Sequence, residues 1–284
     1  MSKNEYQKMV VKDYSVTGEN FEIIYDDNLE MWKTEPAPSE ENLGRYYESE
    51  NYISHTDSKK SLIDKIYQWV RIYMLQKKLK LVQKYQTSGS ILDIGAGTGD
   101  FLKTALSSGW NVNGVEPNPQ ARKIAGRKGI NLDDQLFSVA SKKFDVITMW
   151  HVLEHVLDLK KHIEWLKNHL REEGTLFVAV PNYKSYDSQK YKHFWAAYDV
   201  PRHLHHFSQH SIKKLFAHQN LEVVDIQPMI FDAYYVSLLS EKYKKSKFPF
   251  FKAIISGTVS NLKATQTSEY SSLIYIIKHK KNSF

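Results

Sequence analysis

The residues with the clearest chemistry lie in the run Ile91-Leu92-Asp93-Ile94-Gly95-Ala96-Gly97-Thr98-Gly99-Asp100-Phe101-Leu102. An apolar strand enters a turn with three glycines and leaves it as a helix, so backbone amides can approach a ligand at the carboxyl end of a strand. The spacing is G-x-G-x-G, with an aspartate two residues before the first glycine. A dinucleotide fold wants G-x-G-x-x-G, which brings a pyrophosphate onto the helix N-terminus. Asp93 would repel that anion, but it can accept bonds, through water, from an ammonium group. A second acid, Glu116, follows about twenty residues later, at the end of the apolar run Val112-Asn113-Gly114-Val115. At that position a carboxylate can accept from both hydroxyls of a ribose.

Three histidines are candidates for proton transfer. His151 follows an apolar strand at the same sheet edge, and an imidazole titrates close to neutral pH, so it is expected to act as a general base or to contact an acceptor. His203 and His206, in Trp195-Ala196-Ala197-Tyr198-Asp199-Val200-Pro201-Arg202-His203-Leu204-His205-His206-Phe207-Ser208, are its rivals from a loop expected above the site. There Trp195 and Tyr198 can stack on a ring or sugar, and Arg202 can grip a carboxylate or phosphate at two points. The blander reading pairs Asp199 with Arg202 and makes Ser208 the cap of a helix. No metal site is expected. The order of His151, Glu154 and His155 is not that of H-E-x-x-H proteases, and the absence of cysteine excludes disulfides and thiolate-bound zinc.

Short apolar runs alternating with helical stretches position these groups, the pattern of βαβ units. Strands are expected at 90–95, 111–115, near 129–132, and at 144–150, 174–180, 221–229 and 272–279. Helices fit 99–108, 118–127, 158–170 and 210–219. The pattern predicts an α/β, Rossmann-like, mostly parallel seven-stranded sheet with an antiparallel last strand and helices on both faces. Residues 1–56 form an N-terminal cap, 57–87 an amphipathic linking helix, and 88–284 the main domain. Within it, 183–209 and 231–270 are insertions expected to cover the substrate. The 284 residues carry a net charge of +7, with lysines spread widely enough to read as solvated surface. No apolar run suits a membrane span or a signal peptide, so a cytoplasmic location is expected. Phe248, Phe250, Phe251, Ile254 and Ile255 are an apolar cluster suited to dimerisation or peripheral membrane contact.

The segments LDIGAGTG, VEPN, FDVITMWHVLEHVLDL and GTLFVAVPN resemble successive motifs of the class I methyltransferases that use S-adenosylmethionine (SAM), most nearly the group with the ubiquinone-biosynthesis O-methyltransferases. The match covers residues 90–182. It implies that Asp93, Gly95, Ala96, Gly97, Gly99, Glu116, Pro117, Asp134 and Trp150 hold SAM, leaving S-adenosylhomocysteine as product. It also implies methyl transfer to a small-molecule acceptor, first of all at oxygen; Tyr47, Tyr52 and His55 of the aromatic-rich N-terminal segment, with Trp195, Tyr198 and Arg202, are expected to bind that acceptor. The stretches around Tyr46–His55 and Trp195–Ser208 are similar to those of bacterial methyltransferases without an assigned substrate. Some relatives carry N-terminal cysteines, for zinc; this chain has none. Where quinone-pathway relatives have an acidic residue, this chain has His151. The alternatives are an RNA or protein methyltransferase, with no nucleic-acid module to favour it, and a SAM-binding protein without catalysis.

Overall fold

A computed structural model describes residues 8–39, 42, 44–46, 62–139 and 142–281. Three strands open the chain: β1 (Lys8–Lys12), β2 (Asn20–Asp26) and β3 (Met31–Glu35). A long helix, α1 (Leu62–Gln83), leads into β4 (Ser90–Ile94), α2 (Asp100–Leu106), β5 (Asn111–Val115), α3 (Pro119–Arg127) and β6 (Phe144–Trp150). There follow α4 (Leu159–His169), β7 (Leu170–Pro181), α5 (Tyr186–Tyr191), the two-residue β8 (His205–His206), α6 (Gln209–Ala217) and β9 (Leu221–Pro228). Two helices, α7 (Asp232–Tyr243) and α8 (Pro249–Thr267), precede the last strand, β10 (Ser272–His279).

The main sheet has the order β5-β4-β6-β7-β10-β9. β4 to β7 are parallel, and β10 runs antiparallel to both β7 and β9. Alternate residues feed two cores, because successive side chains of a strand point to opposite faces. Leu92, Ile147, Val178 and Tyr275 pack under α4 and α6 with Ile163, Leu166, Ile212 and Phe216. Ile91, Val146, Phe177 and Ile276 pack under α1 and α2 with Leu79, Val82, Phe101 and Leu102. The strands read as continuous apolar runs because both faces are covered.

Among the described residues the main sheet has six strands rather than the expected seven. At 129–132 the chain makes one parallel bridge, Val115 to Asp133, instead of a strand. Ile130 turns inward beneath Gly99, where a Cβ would meet it at 3.3 Å, and Leu132 sits where a Cβ on Gly114 would strike it at 2.6 Å. The segment packs the glycine turn from below and contributes little to the ladder.

A second, antiparallel sheet has the order β1-β2-β3-β8. Phe21, Ile23 and Tyr46 join Trp195, Tyr198 and Val236 in a third core, which fixes the 195–208 segment against the N-terminal sheet.

Candidate active site and cofactor pocket

The carboxyl ends of β4, β5 and β6 meet at one edge of the main sheet, the place where open α/β sheets bind ligands. Gly95, Gly97 and Gly99 hold φ of 69°, 54° and 73°, in the left-handed region that favours glycine. A Cβ on Gly95 would come within 2.5 Å of Val152, whereas one on Gly97 would meet nothing. The turn is therefore tight on one side and open on the other. Beside it lies a cavity of about 250 Å³ lined by Arg71, Met74, Leu75 and Lys78 of α1 and by Asp93, Gly95, Ala96, Asp100, Phe101 and Trp150.

Asp93 is buried and accepts a hydrogen bond from Thr148 Oγ1 at 2.6 Å. Burial pushes its carboxyl up to about 7, with the Glu116 charge adding and Thr148 and Lys78 opposing. A buried carboxylate of this kind gains by meeting a cation. Glu116 accepts from the backbone amides of Gly97, at 2.8 Å, and Asn118, at 2.9 Å, which orients both of its oxygens and leaves each with acceptor capacity. Pro117 starts the turn into α3, whose cap is the Asn118 side chain. Trp150 stands edge-on to Phe101, with centroids 5.5 Å apart, and Lys78 Nζ lies 4.4 Å from its ring centre. The indole Nε1 of Trp150 is buried without a hydrogen-bond partner.

His151 follows β6 directly, with a left-handed φ of 59°. Its Nδ1 reaches Glu154 at 3.2 Å and its Nε2 reaches Asp232, the first residue of α7, at 3.1 Å. Burial alone would lower its pKa, but the hydrogen bonds and charges of Asp232 and Glu154 outweigh it and raise it to about 10. The two flanking carboxylates favour the protonated form of His151, a form that donates a hydrogen bond rather than taking a proton. Glu154 is buried, with Oε2 unpartnered among the described residues. Glu154, His155 and His203 place ligand atoms within 4.8 Å of one another, the one group of metal-ligand spacing among the described residues. His155 Nδ1 donates to Arg202 O at 2.9 Å and His203 Nδ1 to Ala197 O at 2.8 Å, the kind of carbonyl contact that orients a ligating imidazole. Burial and the nearby His203 bring His155 down to about 4, so it is neutral.

The family model for a methyltransferase domain matches residues 53–226, more than half of the chain. The chain belongs to the class I SAM-dependent methyltransferases. Among curated relatives, it is 33% identical over 106 residues to a ubiquinone biosynthesis O-methyltransferase from Actinobacillus pleuropneumoniae serotype 7, a match covering 32% of this chain and 45% of that one. It is 31% identical over 110 residues to an uncharacterized methyltransferase from Alkaliphilus oremlandii, covering 37% and 50%. The chain thus spans about half the length of the curated relatives it matches. Among solved structures, a cyclopropane synthase from Mycobacterium tuberculosis shares the fold, with a TM-score of 0.51, 13% identity and coverage of 71% of this chain and 82% of that one.

The pocket of this methyltransferase fits SAM on three observations: a desolvated carboxylate at Asp93, an indole N–H without an acceptor at Trp150, and an open glycine turn whose Gly97 amide is held by Glu116. Asp134 is exposed just beyond the Asp133 bridge and does not line the cavity. Arg71 and Lys78 escape a motif-based reading. Arg71, Met74, Leu75 and Lys78 fall at i, i+3, i+4 and i+7, one face of α1, and that spacing is the signal that could have found them. Thr148 and Asp232 carry no sequence signal at all.

The acceptor-side expectations fare differently. Trp195, Tyr198 and Arg202 are buried by protein. Trp195 Nε1 donates to Asp187 at 2.7 Å. Arg202 donates to both oxygens of Asp199, to Asp13 at 2.9 Å and to Tyr46 O at 3.0 Å. These neighbours hold its guanidinium charged and leave it nothing to offer a ligand. His206 is likewise buried, 3.0 Å from Thr34 Oγ1 in the second sheet, where burial keeps it neutral. The reason is common to all: the 195–208 segment is the partner of the N-terminal sheet and packs inward. Tyr47, Tyr52 and His55 lie outside the described residues.

Proposed function

We propose that the enzyme transfers the methyl group of SAM to the oxygen of a small-molecule acceptor with an acidic hydroxyl, such as a phenol or enol. The observation that carries this reading is the His151 ring, bridged by Glu154 at 3.2 Å and Asp232 at 3.1 Å just past the strand that supplies Trp150 to the cofactor cavity. The names of the O-methyltransferase relatives support the choice of oxygen.

SAM supplies an electrophilic methyl on a sulphonium. Glu116 would accept from the ribose hydroxyls and Asp93 from the amino end, while Arg71 and Lys78, the cationic side chains of the cavity wall, would face the carboxylate. Trp150 and Phe101 close the apolar side and exclude water. His151 donates a hydrogen bond to an acceptor bound as its anion, displacing Asp232 from Nε2. The hydroxyl proton goes to solvent before the bond forms, and the imidazolium keeps its own throughout. Its work is to lower the pKa of the hydroxyl and aim the oxygen.

The test incubates the enzyme with SAM and matched phenols, enols, aliphatic alcohols and amines, reading the methylated product and S-adenosylhomocysteine by mass spectrometry. Methylation at oxygen of the acidic hydroxyls is expected. Transfer confined to amines or carbon would overturn the choice of oxygen.

A further inference from the structure

Helix α8 is inverted for a helix packed on a soluble protein. Its buried face is small and partly polar, made of Ala253, Ser256, Gly257, Ser260 and Ala264. A Cβ on Gly257 would lie 2.6 Å from the Tyr234 ring, so α7 and α8 approach too closely for anything larger. The bulky apolar residues face outward. Phe248, at the start of the helix, and Phe250 and Phe251 within it are 69%, 68% and 65% exposed, and Ile254, Ile255 and Leu262 are also exposed. An outward stripe of this size on a monomer marks a surface that something covers.

The charge around it selects the occupant. From 242 to 268 the chain has six lysines and no acidic residue. Lys242, Lys244, Lys245, Lys247 and Lys252 are exposed, and none makes an ion pair among the described residues. A second copy of the chain, meeting this face about a two-fold axis, would bring its own lysines against these. A bilayer with acidic headgroups supplies the missing negative charge at the edge of an apolar layer that accepts phenylalanine and isoleucine. No helix among the described residues is long and apolar enough to cross a membrane, so the contact is in the plane of the surface.

We infer that α8 and the lysine-rich turn before it seat the enzyme on an anionic lipid surface, with the aromatic stripe inserted and the lysines at the headgroups.

Flotation of the full chain with phosphatidylcholine vesicles, with and without phosphatidylglycerol, tests this. The protein is expected to float with the anionic vesicles alone and to be released by high salt. Phe250→Ser/Phe251→Ser/Ile255→Ser should abolish flotation while leaving the circular dichroism and SAM affinity of the native chain. Replacing Lys244, Lys245 and Lys247 by Gln should lower the partition by about fivefold for each lysine removed. Equal binding to both vesicle types, or no binding to either, overturns the inference. So does concentration-dependent dimerisation in sedimentation that the triple serine variant removes, because it makes the face an interface between copies.

Discussion

His151 Nε2 meets Asp232 at 3.1 Å, joining the end of β6 to the first turn of α7 across 81 positions of sequence. With Glu154 on the other ring nitrogen, two carboxylates flank one imidazole and hold its pKa at about 10. A group raised in the folded state contributes stability that is full below its unfolded pKa of about 6.5 and is lost as pH climbs toward the folded value. Asp232→Asn should therefore move the His151 titration down toward the ordinary range and flatten the fall of Tm between those two limits. Proton NMR of the ring reads it directly. A wild-type His151 that titrates below neutral would defeat the assignment.

Asp93 is raised to about 7 by burial, so the unliganded protein loses stability as pH rises from the unfolded value, about 4, through 7. A bound ammonium reverses the preference, and SAM should bind more tightly as Asp93 ionises. Calorimetry in two buffers of different ionisation enthalpy should show proton release near pH 7. Asp93→Asn should abolish that release and weaken SAM at least tenfold, yet raise the Tm of the unliganded protein. A variant with both lower Tm and unchanged affinity would make Asp93 a structural group.

Arg71 and Lys78 line the cavity two helical turns apart, Arg71 already paired with Asp100. If they face the methionyl carboxylate, Lys78→Met should weaken S-adenosylhomocysteine by about 1.5–3 kcal/mol, the range for hydrogen bonds to charged groups. An analogue lacking the carboxylate should show little difference between wild type and variant. Equal losses for the two ligands would place Lys78 in packing against Trp150 instead.

Glu116→Ala removes the acceptor of two backbone amides and, in the complex, of the ribose hydroxyls. SAM affinity should fall about tenfold to a hundredfold. Because the Gly97 amide also loses its partner, the glycine turn should loosen, and amide exchange at Gly97 should speed up. An unchanged dissociation constant would leave Glu116 a purely structural residue.

The parts of this fold that sequence exposes are those set by local pattern. The apolar runs of β4 and β6, the glycine turn and Glu116 at the end of β5 are each written within a dozen residues, so spacing alone locates them. What depends on distant packing is not written there. Gly129-Ile130-Asn131-Leu132 reads as a strand, yet Ile130 and Leu132 are drawn under the glycine turn and leave a single bridge. His205 and His206 look like loop histidines because nothing nearby reveals that they pair with Trp32 and Lys33 of β3. The polar groups of 195–208 suggest a binding loop for the same reason: the Asp13 that satisfies Arg202 lies 189 positions away. Composition distinguishes a ligand grip from a structural one only when the partner is local, as with Asp199.

Arg202 is the sharpest instance and yields the last expectation. Its guanidinium is buried between Asp199 and Asp13, and these bonds are a buried ionic tie between the N-terminal sheet and the main domain. Removing one member of a buried charge cluster leaves the others uncompensated, at a cost of about 3–5 kcal/mol. Arg202→Ala should lower stability by that order, whereas SAM affinity at a temperature where the variant is folded should stay within twofold, since Arg202 does not line the cavity. Arg202→Lys should recover only part of the loss, because an ammonium cannot span both oxygens of Asp199 while also reaching Asp13. Denaturant unfolding and calorimetry of the three proteins decide between the two roles. If Arg202→Ala keeps wild-type stability and loses turnover with an unchanged dissociation constant for SAM, the residue binds the acceptor after all, and the 195–208 segment opens in solution.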